Sequence, residues 1–287
     1  MPTMAGSAIE EGPGMSTARA RTTAHKAASF GDLLRDWRQR RRLSQLALAS
    51  EAEISTRHLS FMETGRAMPS RTMVLRLAEQ LEVPLRERNE LLVAAGHAPE
   101  FVERRLDDPA LGPARRAVDL VLKAHEPFPA IALDRHWTII ATNEAVAPLL
   151  EGVAPHLLAG AINVMRLSLH PEGLAPRILN LAEVRAHLLD RLRRQIDMSA
   201  DPVLIDLMAE VKSWPAPIHI ATAALAHDPY GGLVVPVKLA SPAGPLTLFS
   251  TTTVFGSPLD ITLAELAIET FFPGDEATAR AFRGQRP

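Results

Sequence analysis

Thr56, Arg57, Ser60 and Phe61 fall on one side of a short segment in which Leu59 and Met62 occupy the other. If that segment is helical, the apolar pair points inward and the other four face solvent. A guanidinium can pair bidentately with guanine, hydroxyls can bond either base edge, and an aromatic ring can touch a thymine methyl. This is the chemistry of reading base edges in a major groove. The plainer alternative is an exposed polar helix face carrying one aromatic ring.

Other chemistries find little support. The chain has no cysteine, which excludes disulfides, iron–sulfur clusters, thiolate zinc sites and cysteine nucleophiles together. Its ten histidines are scattered, with no i, i+4 pair beside a carboxylate, so no metal is expected. Gly-rich phosphate loops and G-x-S-x-G elbows are missing too, so we expect no catalytic residue, no cofactor and no enzyme.

The reader face needs a scaffold, and the flanking sequence supplies one. Phe30, Leu33, Leu34 and Trp37 follow helical spacing with the Arg41 stem alongside, predicting a helix from Ser29 to Arg41. Ser44 can cap a second helix over Gln45–Ala52, Glu53-Ile54 make a brief turn, and Ser55 can cap a third running to about Glu63. Gly65 stands where a left-handed C-terminal residue is favoured. Pro69-Ser70 restart the chain into a fourth helix, with Val74, Leu77, Ala78 and Leu81 inward, and Pro84 opens a fifth that stops at Gly96. An all-α five-helix domain over residues 29–98 is the expectation.

Charge is distributed to match. From Arg19 to Arg76 there are twelve Lys/Arg against five Asp/Glu, whereas residues 77–287 hold nineteen against twenty-six, and the whole chain is −2. A basic segment on an acidic body suits a phosphate-binding module joined to something that avoids nucleic acid. Hydrophobic content of 47% over 287 residues is ample for two domains. Residues 1–28 read as a flexible tail without the apolar core of a secretory signal, and residues 99–113 as a proline-rich linker.

Beyond the linker, Ala114–His125 is expected to be helical, followed by a hairpin of Ala130–Leu133 and Trp137–Ala141. Helical segments follow near Asn143–Leu150, near Ile162–Leu169, after Asn180, where Glu183 completes a capping box, and after Asp201-Pro202. Strands return at Leu233–Leu239 and Leu246–Val254, and a last helix is expected from Thr262 to just before Pro273-Gly274. The uncharged run Leu239–Leu259 holds seven Ser/Thr and three Pro, so it reads as sheet and not as a membrane span. The order describes an α+β domain over residues 114–283 that resembles a PAS fold.

The segment LSQLALASEAEISTRHLSFMETGRAMPS is similar to the Cro/C1-type helix-turn-helix of the XRE family. The resemblance implies double-stranded DNA as partner, with Gln45 near the phosphates, Ser55, Thr56, Arg57, Ser60 and Phe61 along the groove, and Arg66 and Ser70 flanking the backbone. It also implies an ion pair between Arg38 and Glu63. One position departs: the family usually has glycine in the turn where this chain has Glu53, and a non-glycine residue at positive φ costs about 1 kcal/mol.

The stretches LDRHWTIIATNEA, NVMRLSLHPEGLAPRILNLAEVRAHLLDRLRRQ and FSTTTVFGSPLDITLAELAIETFFPGDEATA resemble the ligand-binding domain of MmyB-like transcription regulators. That implies a transcription regulator with a pocket for a small effector. Without a secretory signal the expected address is the cytoplasm, with no membrane partner, and a homodimer is expected. The few convergent polar groups of residues 114–283 suit a largely apolar ligand. Trp137, Asn143, Met165, His170, Phe249 and Phe255 are the expected lining residues, each with plain core as its alternative. Arg185, Arg191, Arg193 and Arg194 could meet an acidic ligand or merely form a solvated helix face. A second domain that only dimerises or binds other proteins stays open as the rival reading.

Overall fold

The computed structural model of the protein describes residues 28–215, 234–242, 244–255 and 260–284. The expected tail lies outside these residues apart from Ala28, as do Leu233 and the end of the Leu239–Leu259 run.

Helices α1 (Phe30–Arg40), α2 (Gln45–Glu51), α3 (Thr56–Glu63), α4 (Arg71–Gln80) and α5 (Leu85–Ala94) make the first domain. Four start with a serine whose hydroxyl accepts a first-turn N–H: Ser29 from Asp32, Ser44 from Ala47, Ser55 from His58 and Ser70 from Met73. Each such cap contributes about 1 kcal/mol. The helices are too short to persist alone and are held by a shared core in which Leu34, Leu48, Leu59, Leu77 and Leu92 are fully buried. At Gly31 the backbones of α1 and α3 approach so closely that a Cβ would sit 2.5 Å from the Glu63 carbonyl oxygen.

The turn between α2 and α3 is left-handed at Glu53, with φ 52°. Arg76 of α4 braces it, donating from Nη1 to the Ala52 carbonyl at 3.1 Å and from Nη2 to Glu53 Oε2 at 3.1 Å. The side chain that glycine would lack thus gains an anchor that offsets part of its backbone strain.

Residues 99–113 are not a free linker. Val102 bridges to Asp260, Glu103 pairs with Arg86, and a 3-10 turn at Pro109–Leu111 leads straight into α6 (Gly112–Ala124). Next come β1 (Ala130–Leu133), β2 (Ile139–Thr142), a 3-10 stretch Glu144–Leu150, α7 (Val164–Leu169), α8 (Leu181–Ser199) and α9 (Pro202–Ser213). Then β3 (Val237–Leu239), β4 (Leu246–Val254), α10 (Ile261–Ala264), β5 (Ala267–Pro273) and α11 (Glu276–Phe282) complete the described chain.

The strands form one antiparallel sheet in the order β2-β1-β5-β4-β3. Alternation along β1 sends Ile131 and Leu133 toward α7, α8 and α9, and Ala130 and Ala132 toward α6. Because helices cover both faces, all four β1 residues are buried. This is an N-terminal helical region followed by an α+β domain.

Two sequence expectations need correction. The helix expected from Thr262 is a single turn, capped by Asp260, and the rest of that segment is β5. Ile268, Thr270, Phe271 and Phe272 suit a pleated surface, and inserting them between β1 and β4 closes the sheet. Asn180 does not cap α8: its Nδ2 donates to Glu183 Oε2 and to the Pro236 carbonyl, while its Oδ1 accepts the Lys238 N–H. The side chain serves the incoming strand in place of its own helix. Asp201 does cap α9, accepting from the Val203 N–H at 2.9 Å ahead of Pro202.

Candidate nucleic-acid interface and buried cavity

On α3, Leu59 and Met62 are buried while Arg57 is exposed and Thr56, Ser60 and Phe61 are half-buried. The Phe61 ring is flanked by two guanidiniums, Arg57 at 5.2 Å and Arg66 at 5.9 Å. This aromatic partly orients two cations that would otherwise sample many rotamers. Ser55 and Ser70 lie exposed at the starts of α3 and α4, where their hydroxyl oxygens are already engaged as caps.

Arg38 and Glu63 meet as a bidentate pair, with Nε to Oε1 at 2.6 Å and Nη2 to Oε2 at 3.0 Å. Gln45 joins them, donating from Nε2 to Glu63 Oε2 at 2.8 Å, so its amide nitrogen is committed inside the protein. Arg35 adds a bond from Nη2 to the Glu63 carbonyl oxygen at 2.8 Å. Burial alone would raise the Glu63 carboxyl, but the hydrogen bonds from Arg38 and Gln45 and the charges of Arg38 and Arg35 outweigh it and hold it below the usual range. The hydrogen bonds that Arg38 donates to Glu63 raise Arg38 further above its already high value. The end of α3 is thereby fastened to the start of α2 and to α1.

In the second domain a cavity of about 130 Å³ lies between the sheet and the helices. Ile131, Ile139, Val164, Leu167, Ile178 and Leu188 contribute to its apolar walls. His187, Arg191, Ser250 and Glu269 add polar groups. Arg191 Nη1 donates to Glu269 Oε1 at 2.9 Å, and the Ser250 hydroxyl donates to the same oxygen at 2.7 Å. Burial together with the charge of Arg191 lowers His187, favouring the neutral ring. A larger groove of about 880 Å³ opens elsewhere beside Pro148, Arg177, Pro242 and Phe282, where Arg177 is already spent on the Leu149 and Glu151 carbonyls.

None of the six residues expected to line a pocket lines either cavity. Leu248 and Ser250 face the cavity, so Phe249 between them points to the other side of the sheet and stacks on Phe272 at 5.5 Å. Phe255 packs against the core cluster on the α6 side of the sheet. Met165 is fully buried in the core between α7 and α9, while its neighbours Val164 and Leu167 take the lining positions. Asn143 is a buried structural hub, accepting from the Ala130 N–H and donating to the Leu122 and Phe128 carbonyls. Trp137 sits behind the wall, under Arg191. The polar lining residues were missed because only Arg191 stood out from the sequence, as one of a run. Arg193 and Arg194 of that run pair with Asp190 near the surface, and Arg185 donates to the Val211 carbonyl.

His170 stands elsewhere, edge-on to Trp214 and to His156. Although no metal was expected, donor atoms of His156, His170 and Glu172 lie within 4.8 Å of one another. His170 Nδ1 already accepts the Glu172 N–H, and the side chains of His156 and Glu172 are largely exposed.

Family models match both parts of the chain. Residues 29–91 match a helix-turn-helix domain, and residues 114–284 match the MmyB-like transcription regulator ligand binding domain. Comparison with individually curated proteins finds no match. A helix-turn-helix region followed by a ligand-binding domain defines a DNA-binding transcription regulator and not an enzyme. The second match spans more than half of the chain, which therefore belongs to the MmyB-like regulators, with an XRE-type DNA-binding part. No helix among the described residues is long and apolar enough to cross a membrane.

Proposed function

We propose that residues 29–98 are a Cro/C1-type domain that reads specific double-stranded DNA, and that a small, largely apolar effector held in a PAS-like domain, residues 114–283, controls that reading. In this view Ser55, Thr56, Arg57, Ser60 and Phe61 lie along the groove and meet base edges, while Gln45, Arg66 and Ser70 lie along the phosphates. The protein works in the cytoplasm as a homodimer, its two reading helices matching half-sites about one DNA turn apart. The antiparallel sheet with helices packed on it supports the PAS-like reading.

The observation that carries effector control is the cavity between sheet and helices, apolar along its walls with a few polar groups gathered around Glu269. An apolar cavity of roughly 150 Å³ is known to admit a molecule the size of benzene, so about 130 Å³ suits a small apolar guest with a single hydrogen-bonding group. A second reading, in which the α+β domain only joins two copies, draws on the exposed Leu120 and Val121 of α6.

Native mass spectrometry of the full chain, before and after denaturation, separates the two. A retained small molecule, and small apolar alcohols or acids that both stabilise the chain and shift its affinity for a DNA selected from random duplexes, are expected. Dimers that retain nothing, and whose DNA affinity ignores every compound, would leave only the joining role.

A further inference from the structure

We propose that the turn between β1 and β2, Asp134–Trp137, carries the state of the cavity to the DNA-binding domain, with Trp137 as its input and Arg135 as its output. The proposal rests on the effector reading above and adds the route by which occupancy would be felt.

The input begins with Arg191, which lines the cavity and lies with its guanidinium 4.8 Å over the Trp137 ring. The same guanidinium is held at its edge, donating to Glu269 at 2.9 Å and to the Thr252 hydroxyl at 3.2 Å. A guest that bonds to Glu269 or Arg191 must compete with this pair and so alter the cover over Trp137. The ring is a sensitive place to push. Trp137 has φ 67°, a left-handed backbone that a bulky residue keeps only where its surroundings enforce it.

Those surroundings make the turn move as a unit. Trp137 Nε1 donates to Gln195 Oε1 at 2.8 Å, and Gln195 Nε2 donates back to the Arg135 carbonyl at 2.6 Å. Asp134 Oδ1 accepts the N–H groups of His136 and Thr138, each at 2.8 Å. A shift at the ring is therefore passed to the backbone that carries Arg135.

The output is a cluster of charges between the domains. Arg135 reaches Asp201 at 2.7 Å, Glu265 at 3.3 Å and Glu87 of α5 at 3.6 Å. Arg86, the preceding residue of α5, pairs with the same Glu265 through Nε at 2.9 Å and Nη2 at 3.0 Å. Two consecutive residues of the DNA-binding domain are thus held by a cluster whose position depends on the turn. Glu87 Oε2 is buried with no hydrogen-bond partner among the described residues, so the cluster is one bond short. A network left unsatisfied by one bond has a second arrangement within reach when Arg135 moves. If these pairs were only glue between domains, α5 would be indifferent to Arg191.

Hydrogen–deuterium exchange of the full chain tests this in four proteins: wild type, Arg191→Gln, Arg135→Gln and the double variant. Arg191→Gln should change exchange of the Leu85–Ala94 amides by about three-fold or more, and should add almost nothing once Arg135 is Gln. Arg191→Lys keeps a charge for Glu269 but cannot lie flat over Trp137, so it should reproduce the effect on α5 without orphaning the carboxylate. Unchanged α5 exchange in both Arg191 variants, with altered exchange confined to the β1–β2 region, would overturn the proposal. So would an Arg191 effect that survives Arg135→Gln. Failure of the effector reading looks different: benzyl alcohol would neither stabilise the wild-type chain nor alter its exchange, while the Arg191–Arg135 coupling persisted and supported the turn's role.

Discussion

Arg38 on α1 grips both carboxylate oxygens of Glu63 at the end of α3, and the Glu63 side chain is only 1% exposed. The position of α3 therefore depends on a pair that water hardly reaches. Removing one partner leaves a buried charge uncompensated, so Arg38→Ala should cost about 3 kcal/mol, several times an exposed pair. Urea unfolding of the two single variants and the double variant gives the coupling, and a value indistinguishable from zero would remove the claim.

Acid should find the same pair. Glu63 is held below its ordinary value, so its contribution is fully present above about pH 4.3 and is lost as the pH falls through the lower, folded value. Glu63→Gln should be less stable than wild type at pH 7, by about 2 kcal/mol, and that gap should narrow as the pH falls below about 4.3. Unfolding midpoints measured across that range check the sign.

Glu87 should behave in the opposite sense. Burial raises its carboxyl, with Arg135 only partly offsetting, so its favourable protonated form is fully present below about pH 4.3 and is lost as the pH rises through the folded value. Glu87→Gln should therefore gain about 1 kcal/mol at pH 7, and the gain should fade toward pH 4. A variant less stable than wild type at neutral pH would show that the pairing with Arg135 outweighs burial.

Arg57 and Arg66 flank one ring but should answer differently to DNA. Arg57→Ala should lose about 1–3 kcal/mol on the selected sequence and much less on random duplex, whereas Arg66→Ala should weaken both alike and reduce the salt dependence. Binding isotherms at two salt concentrations separate the roles. Equal losses for Arg57→Ala on both DNAs would deny it a reading role.

The helices of the first domain were legible because each carries its own start signal, a serine for α1 to α4 and Pro84 for α5, ahead of apolar residues at helical spacing. Local signals of that kind fail where a residue is claimed by something distant. Thr262 and Glu265 look like a capping pair, yet Glu265 is drawn to Arg86 of the other domain, and the apolar residues after it are taken into the sheet. Asn180 is diverted by β3 in the same way. The cavity was misplaced for a related reason. Which of two adjacent residues faces inward depends on register, and Phe249 and Leu248 differ by a single step in a strand whose register is set by pairing on both edges, with β3 and with β5.

The sheet order has a consequence for how the molecule is made. β5 lies in the middle of the sheet, with Ala130 of β1 opposite its Thr270 and Thr251 of β4 opposite the same residue. Until the ribosome has delivered β5, the β1–β2 and β3–β4 pairs are two separate ribbons with unpaired edges, exposed to mispairing. Asp260 and Glu265, which tie the second domain to Arg104 and Arg86, emerge only just before it. The helices of the first domain can be folded long before then, so a nascent chain would carry a finished helix-turn-helix part while its ligand-binding domain was still two loose ribbons.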